Sequence, residues 1–173
     1  RLTSRRRNFI MIAPNAASLA IRGRWAVAAI FLVNGFVIGS WAPQIPVFLT
    51  RLGISEFTLG LLILLFGAGA VSAMVWAGYL IPKHGSKKVV SLFAITGSFG
   101  LLLVALAPNV HVAALAMYLV GGMIGAMDVS MNANAVTVEK RLGRAIMSSS
   151  HGFWSLGGFV GGGLGGIVIQ SHG

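Results

Sequence analysis

Apolar and charged residues occupy separate blocks of this chain. Between Arg24 and Arg51 lie 26 residues without Lys, Arg, Asp or Glu, and another 26 separate Glu56 from Lys83. Between Lys88 and Asp128 lie 39, a run interrupted by Pro108-Asn109, and no such charge follows Arg144. A helix crosses a hydrocarbon core of about 30 Å with about 20 apolar residues. The pattern therefore predicts five spans, near 25–48, 58–81, 89–107, 112–136 and 145–169. Membrane β-strands would alternate polar and apolar residues over about 10 positions, and no such alternation is present. The fold class read from the pattern is all-α, a polytopic transmembrane bundle at 25–173 behind a basic tail at 1–24.

Composition supports the pattern. Hydrophobic residues make up 56% of the 173 and charged residues only 9%, against about 25% charged in soluble domains. A soluble enzyme and a disordered chain are both excluded. With no cysteine, the chain has neither disulfides nor thiolate metal sites. The net charge of +10 points to nucleic acid or to a membrane surface, and its distribution decides for the membrane. Twelve of the thirteen Lys and Arg fall on one side of the predicted topology: the tail up to Arg24, the turn with Lys83, Lys87 and Lys88, and the turn with Lys140, Arg141 and Arg144. The other side has Arg51 alone. Basic loops stay in the cytoplasm, which places the N-terminus inside. Within the tail, SRRRNFI (4–10) resembles a twin-arginine export signal, and Met11 offers an alternative start. The first span is too long for a cleaved signal, so the tail reads as a cytoplasmic orienting segment.

A nine-residue outer and a seven-residue inner connection join spans one to three, and spans four and five begin what reads as a second copy. Three-helix inverted repeats of this kind, nested in six-helix halves, build many transporters. Five spans ending outside read as an interrupted protein.

The inner connection G-Y-L-I-P-K-H-G-S-K-K, Gly78 to Lys88, carries a resemblance. It is similar to the signature loop of the major facilitator superfamily, G-x-L-a-D-R-x-G-R-[RK], with Gly78, Leu80, Lys83, Gly85 and Lys87 at matching positions. Pro82 replaces the loop's acid and Ser86 a base. N-G-F-V-I-G-S-W-A-P-Q-I-P in the first span, together with D-V-S-M-N-A-N and S-S-S-H-G-F-W-S-L-G-G, resembles a bacterial branch described mostly as sugar or inositol-derivative permeases. The resemblance implies the N-terminal half of a protein of about twelve spans in a bacterial inner membrane. Its partner would be the C-terminal half of the same protein. It also implies a gating role for Gly78, Lys83, Gly85 and Lys87. In the fifth span Gly157, Gly161 and Gly165 share one helix face, which lets another backbone approach closely. With Gly166 they resemble the family's antiporter motif, Gly162 standing in place of its proline.

Polar residues inside spans carry the candidate chemistry, because a charge there costs about 2.5–3.5 kcal/mol on insertion scales. Asp128 is the one acid inside a span, about 24 Å along it from Val112 at 1.5 Å per residue. Met117, Gly121, Asp128, Asn132, Ala135 and Glu139 fall on one stripe that reads as cavity-facing. Asp128 is then a proton or solute site, or else pairs with Lys83 or Arg141. His151 lies at a matching depth on the next helix, as a proton-coupling partner or as a packing residue behind Trp154. Asn134 points elsewhere and is expected to bond another helix. In the first span Asn34, Trp41 and Gln44 lie within about 80° of one another at 100° per residue. With Asn132 they suit a polyhydroxylated solute, Asn and Gln bonding hydroxyls and Trp stacking on a ring. Trp41 equally suits an interfacial anchor. Pro43 and Pro46 are expected to kink this span. Met117, Met123, Met127 and Met131 read as packing filler, and the four His show no metal-site spacing. No G-x-x-x-x-G-K-[ST] loop occurs, so no cofactor is expected. The function expected is alternating-access transport of a small polar solute, with protons as the candidate coupling ion. The alternatives are a membrane sensor or degenerate remnant, and a small oligomerising subunit.

Overall fold

A computed structural model describes residues 14–172. Positions 1–13, with Arg1, Arg5, Arg6, Arg7 and the signal-like SRRRNFI, lie outside the described residues. The described chain folds into α1 (Pro14–Trp41), a 3-10 turn (Ala42–Gln44), α2 (Ile45–Leu52), α3 (Glu56–His84), α4 (Ser86–Ala105), α5 (Val110–Leu142) and α6 (Met147–His172). Five stretches are long and apolar enough to cross a membrane, α1 and α2 together forming the first.

The helices outrun the apolar blocks that predicted them. α1 starts at Pro14, so the second part of the predicted tail, 14–24, is helical. α5 continues through its charged end to Leu142. The seven-residue inner connection shrinks to one residue, Gly85, between His84 and Ser86. Gly85 reverses the chain at φ +81 and ψ 143, a backbone shape that side chains with a Cβ rarely adopt. The nine-residue outer connection shrinks to 53–55. There the Ser55 hydroxyl caps α3 by accepting the Thr58 N–H at 3.2 Å. Hydropathy marks where lipid ends; a helix ends where its backbone groups find other partners. Pro43 and Pro46 replace α-helix by the 3-10 turn and restart it as α2.

α5 is the hub. It packs against α3, α4 and α1, whereas α6 is held almost entirely by α1. One apolar cluster gathers Phe48, Leu59, Leu62, Val104 and Val120 towards the α2 end. A second gathers Val27, Phe31, Val90, Met127, Met131 and Val138 towards the opposite end. In the first, Arg51 donates to the carbonyls of Ala107 (3.0 Å) and Val104 (3.2 Å), closing the C-terminal end of α4. The one basic residue on that side of the predicted topology thus satisfies helix-end carbonyls.

Two crossings hold the bundle, and they are copies of one another. On α1, a Cβ at Gly35 would strike the Trp154 carbonyl, and one at Gly39 the Gly158 carbonyl, both on α6. Adding 86 to these α1 positions gives Gly121 and Gly125 of α5, where a Cβ would strike Phe66 and Ala70 of α3. Adding 88 to Phe66 and Ala70 gives Trp154 and Gly158. From the other side, Gly157 meets Leu32 as Gly69 meets Tyr118, with the same offsets. Spans one and four cross the membrane in opposite directions, so the two helix pairs form an inverted repeat. Gly161 and Gly165 extend the α6 contact along α1 to Phe36 and Pro43.

Gly39→Val or Gly125→Val should therefore unseat a crossing, at about 1–3 kcal/mol or more for overpacking. Gly163→Ala, where a Cβ meets nothing within 4 Å, should keep the fold and gain up to about 1 kcal/mol. Thermal unfolding in detergent separates the two outcomes.

Candidate functional site

The inner polar residues converge where α1, α5 and α6 meet. Asp128 lies about 27 Å along a helix about 50 Å long, and about 12 Å short of Val136, where the predicted span ends, at 1.5 Å per residue. Its carboxylate is half-buried. One turn on, the Asn132 amide donates to the Asp128 carbonyl at 2.9 Å and lies 3.5 Å from the carboxylate Oδ1. Neither Lys83 nor Arg141 pairs with Asp128: among the described residues its ionisable neighbour is His151 of α6. The two form no hydrogen bond, and His151 is exposed, resting edge-on against buried Phe31 at 5.1 Å between ring centroids. α5 and α6 touch little, so Asp128 and His151 are brought together by α1 wedged between them.

Asn34 is the strut of this junction. It is only 3% exposed. Its Oδ1 accepts the Trp154 indole N–H at 2.8 Å, and its Nδ2 donates to the Met127 sulfur at 3.3 Å. One side chain on α1 thus ties α5 to α6 and fixes the plane of Trp154, which remains 36% exposed. With one donor and one acceptor position engaged, Asn34 is buried in this arrangement. Trp154 is the residue to which sequence reading gave no role, naming it only as what His151 packs behind. Its signal was the spacing from His151, three positions on one helix, which puts both on one face.

The other expected residues lie apart. Trp41 packs edge-on against Phe48 at 5.3 Å in the α2-end cluster. Gln44 sits in the 3-10 turn, half-buried, its side chain free of hydrogen bonds. The stripe on α5 does not face a single environment. Met117, Gly121 and Ala135 are buried, Gly121 against α3, while Asp128 and Asn132 remain half-exposed. The reason is that α5 is surrounded on three sides, so a stripe straight in sequence passes several neighbours. Glu139, at its end, caps α6 by accepting the N–H groups of Ile146 (3.0 Å) and Met147 (3.2 Å). Asn134 accepts from Ser86 at 3.3 Å and joins α5 to the start of α4. Gly78, Lys83, Gly85 and Lys87 are all exposed at the α3–α4 turn. Met127 and Met131 are buried in the core, and no group of three metal-capable residues occurs among the described residues.

A multi-pass helical bundle with an internal inverted repeat and a polar junction within its apolar spans defines the class. The sequence profile of the Major Facilitator Superfamily matches residues 3–166, and the chain belongs to that family. It is 37% identical over 135 residues to an uncharacterized transporter, y4wD, of Sinorhizobium fredii, covering 78% of this chain and 36% of the relative. An uncharacterized MFS-type transporter of Yersinia pestis is 39% identical over 133 residues, covering 77% and 35%. Membrane protein MosC of Rhizobium meliloti is 34% identical over 147 residues, covering 85% and 36%. The chain thus spans about a third of the length of these relatives, and none of their descriptions specifies a solute. No solved structure matches the chain.

Asn34→Leu should leave the Trp154 N–H without its partner and cost about 1–3 kcal/mol. Trp154→Phe, which leaves the buried Asn34 Oδ1 without its donor, should cost a similar amount, and the double variant Asn34→Leu, Trp154→Phe should cost less than the two singles together. Thermal unfolding in detergent, followed by circular dichroism, checks both.

Proposed function

We infer that this chain is part of the N-terminal bundle of an alternating-access transporter that couples a small polar solute to protons. The observation that carries this reading is the Asp128 carboxylate, inside the apolar span, with His151 as its ionisable neighbour and no Lys or Arg partner among the described residues. A carboxylate at that depth is costly, and in membrane proteins such a group marks a solute or proton path. Asp128 carries the proton, and His151, its ionisable neighbour, exchanges it. The Asn132 amide and the exposed face of Trp154 receive the solute, with Asn34 holding the indole in place. A fixed aromatic face beside a carboxamide and a carboxylate suits a hydroxylated, sugar-like molecule. Trp41 and unengaged Gln44 extend the path towards the other end of α1, where the 3-10 turn supplies a bendable segment. Gly78, Lys83, Gly85 and Lys87 form the turn at the opposite end that moves with the gate.

Location and orientation belong to the same reading. Gly23 lies against Val138, and Arg24 donates to Ser149 at 2.7 Å. Together with the Ser86–Asn134 bond these contacts gather the described basic clusters at one end of the bundle. Arg51, at the other end, is engaged with α4 carbonyls. Under the positive-inside rule the basic end is cytoplasmic, in the inner membrane of a bacterium.

Uptake of labelled hexoses and polyols by proteoliposomes of the full-length protein under an imposed pH gradient tests this function. Asp128→Asn should abolish the gradient-driven component and leave gradient-independent exchange. Trp154→Ala should raise the half-saturating concentration about 10-fold, the loss of a stacking contact worth about 1–1.5 kcal/mol. Uptake by Asp128→Asn with unchanged rate and pH dependence would remove the coupling role.

A further inference from the structure

The turn between α3 and α4 carries three lysines and no acid. Lys83, Lys87 and Lys88 are all exposed, and position 82 is proline. Glu139 is the one acid among the described residues at this end of the bundle, and its carboxylate is committed to the N–H groups that open α6. The cations of the turn are therefore without an acidic partner among the described residues.

Two of the lysines, Lys83 and Lys88, sit at the ends of outward apolar stripes. On α3, Trp76, Tyr79 and Lys83 fall within about 60° of one another at 100° per residue. Trp76 is 67% exposed and Tyr79 57%. The Lys83 ammonium lies 4.0 Å from the Tyr79 ring centroid and donates to its hydroxyl. On α4, Lys88 heads the stripe Leu92, Ile95, Phe99 and Leu102, every member exposed. α3 and α4 both pack on α5 and only slightly on each other, so two greasy faces run from one cationic turn. Exposed Trp and Tyr beside it match the headgroup level of a bilayer, where such rings concentrate.

We propose that the α3–α4 turn is a binding site for a phospholipid with an anionic headgroup. The phosphate, whose negative charge no headgroup ammonium cancels, sits over Lys83, Lys87 and Lys88. The acyl chains lie along the α3 and α4 stripes, and Trp76 and Tyr79 border the glycerol level. Basic pockets at the ends of transmembrane helices bind anionic headgroups in this manner, each cation adding about fivefold in affinity near a charged surface. The site is separate from the Asp128 junction and stands whether or not that junction carries protons.

Native mass spectrometry of the full-length protein that carries this chain, with phosphatidylglycerol and phosphatidylcholine of identical acyl chains, tests the site. Wild type should retain phosphatidylglycerol preferentially. The triple variant Lys83→Gln, Lys87→Gln, Lys88→Gln should lower that preference by at least about 10-fold. Exchanging the same three for Arg should preserve it, as should the charge-matched Lys140→Gln, Arg141→Gln, Arg144→Gln variant. Brominated phosphatidylglycerol should quench the emission component that Trp76→Phe removes, which reports the site in unmodified protein as well. Equal loss in both triple glutamine variants, no headgroup preference in wild type, or no quenching of Trp76 would overturn the proposal. The second of these results is the one expected if carboxylates elsewhere in the full-length protein neutralise the turn.

Discussion

Lipid tails are as apolar as leucine, so helices in a bilayer gain little by burying leucine against each other. What draws these helices together is close backbone approach at the two glycine crossings, α1 on α6 and α5 on α3. A single Cβ at Gly35, Gly39, Gly121 or Gly125 would overlap the backbone opposite. Everything else in the bundle is arranged around those contacts. The crossing of α1 and α6 brings Trp154 within reach of Asn34, and α1 then lies where it can set His151 beside Asp128.

The repeat duplicates the scaffold without duplicating the chemistry. The offset that turns Gly35 and Gly39 into Gly121 and Gly125 turns Asn34 into Val120 and Ala42 into Asp128. The strut is therefore present at one crossing and the carboxylate on one helix of the equivalent pair. Where α1 breaks into a 3-10 turn after Trp41, α5 runs on as unbroken helix through Asp128. The bendable element and the charged element occupy equivalent places in two copies that point in opposite directions through the membrane. A symmetric frame thereby acquires two different ends.

Much of this was legible from residue order alone, for identifiable reasons. Spans follow from hydropathy because lipid cannot satisfy an unpaired backbone group. The isolation of Asp128 within a span needed only its neighbours in sequence. The role of Asn34 was not legible: an amide in the first span reads as a solute ligand, and its burial depends on helices that lie 93 and 120 positions away. Trp154 was overlooked for the complementary reason, since a tryptophan in an apolar helix reads as packing until a buried acceptor is found for its N–H. Glu139 seemed part of a cavity stripe because a helix wheel carries no information about the next helix's unsatisfied N–H groups.

By itself the sequence determined the number of spans, their helical class, the side on which cations gather, and the lone acid within them. Each of these depends on the contrast between water and hydrocarbon, which acts on residues one by one. The tertiary structure alone decided that the inner turn is one glycine long, that α5 is the hub, that Asn34 is consumed in holding Trp154, and that Asp128 faces His151 and no lysine. Those outcomes depend on which backbone surfaces can touch. Contact between surfaces is a property of pairs of helices, and no single stretch of residues encodes it.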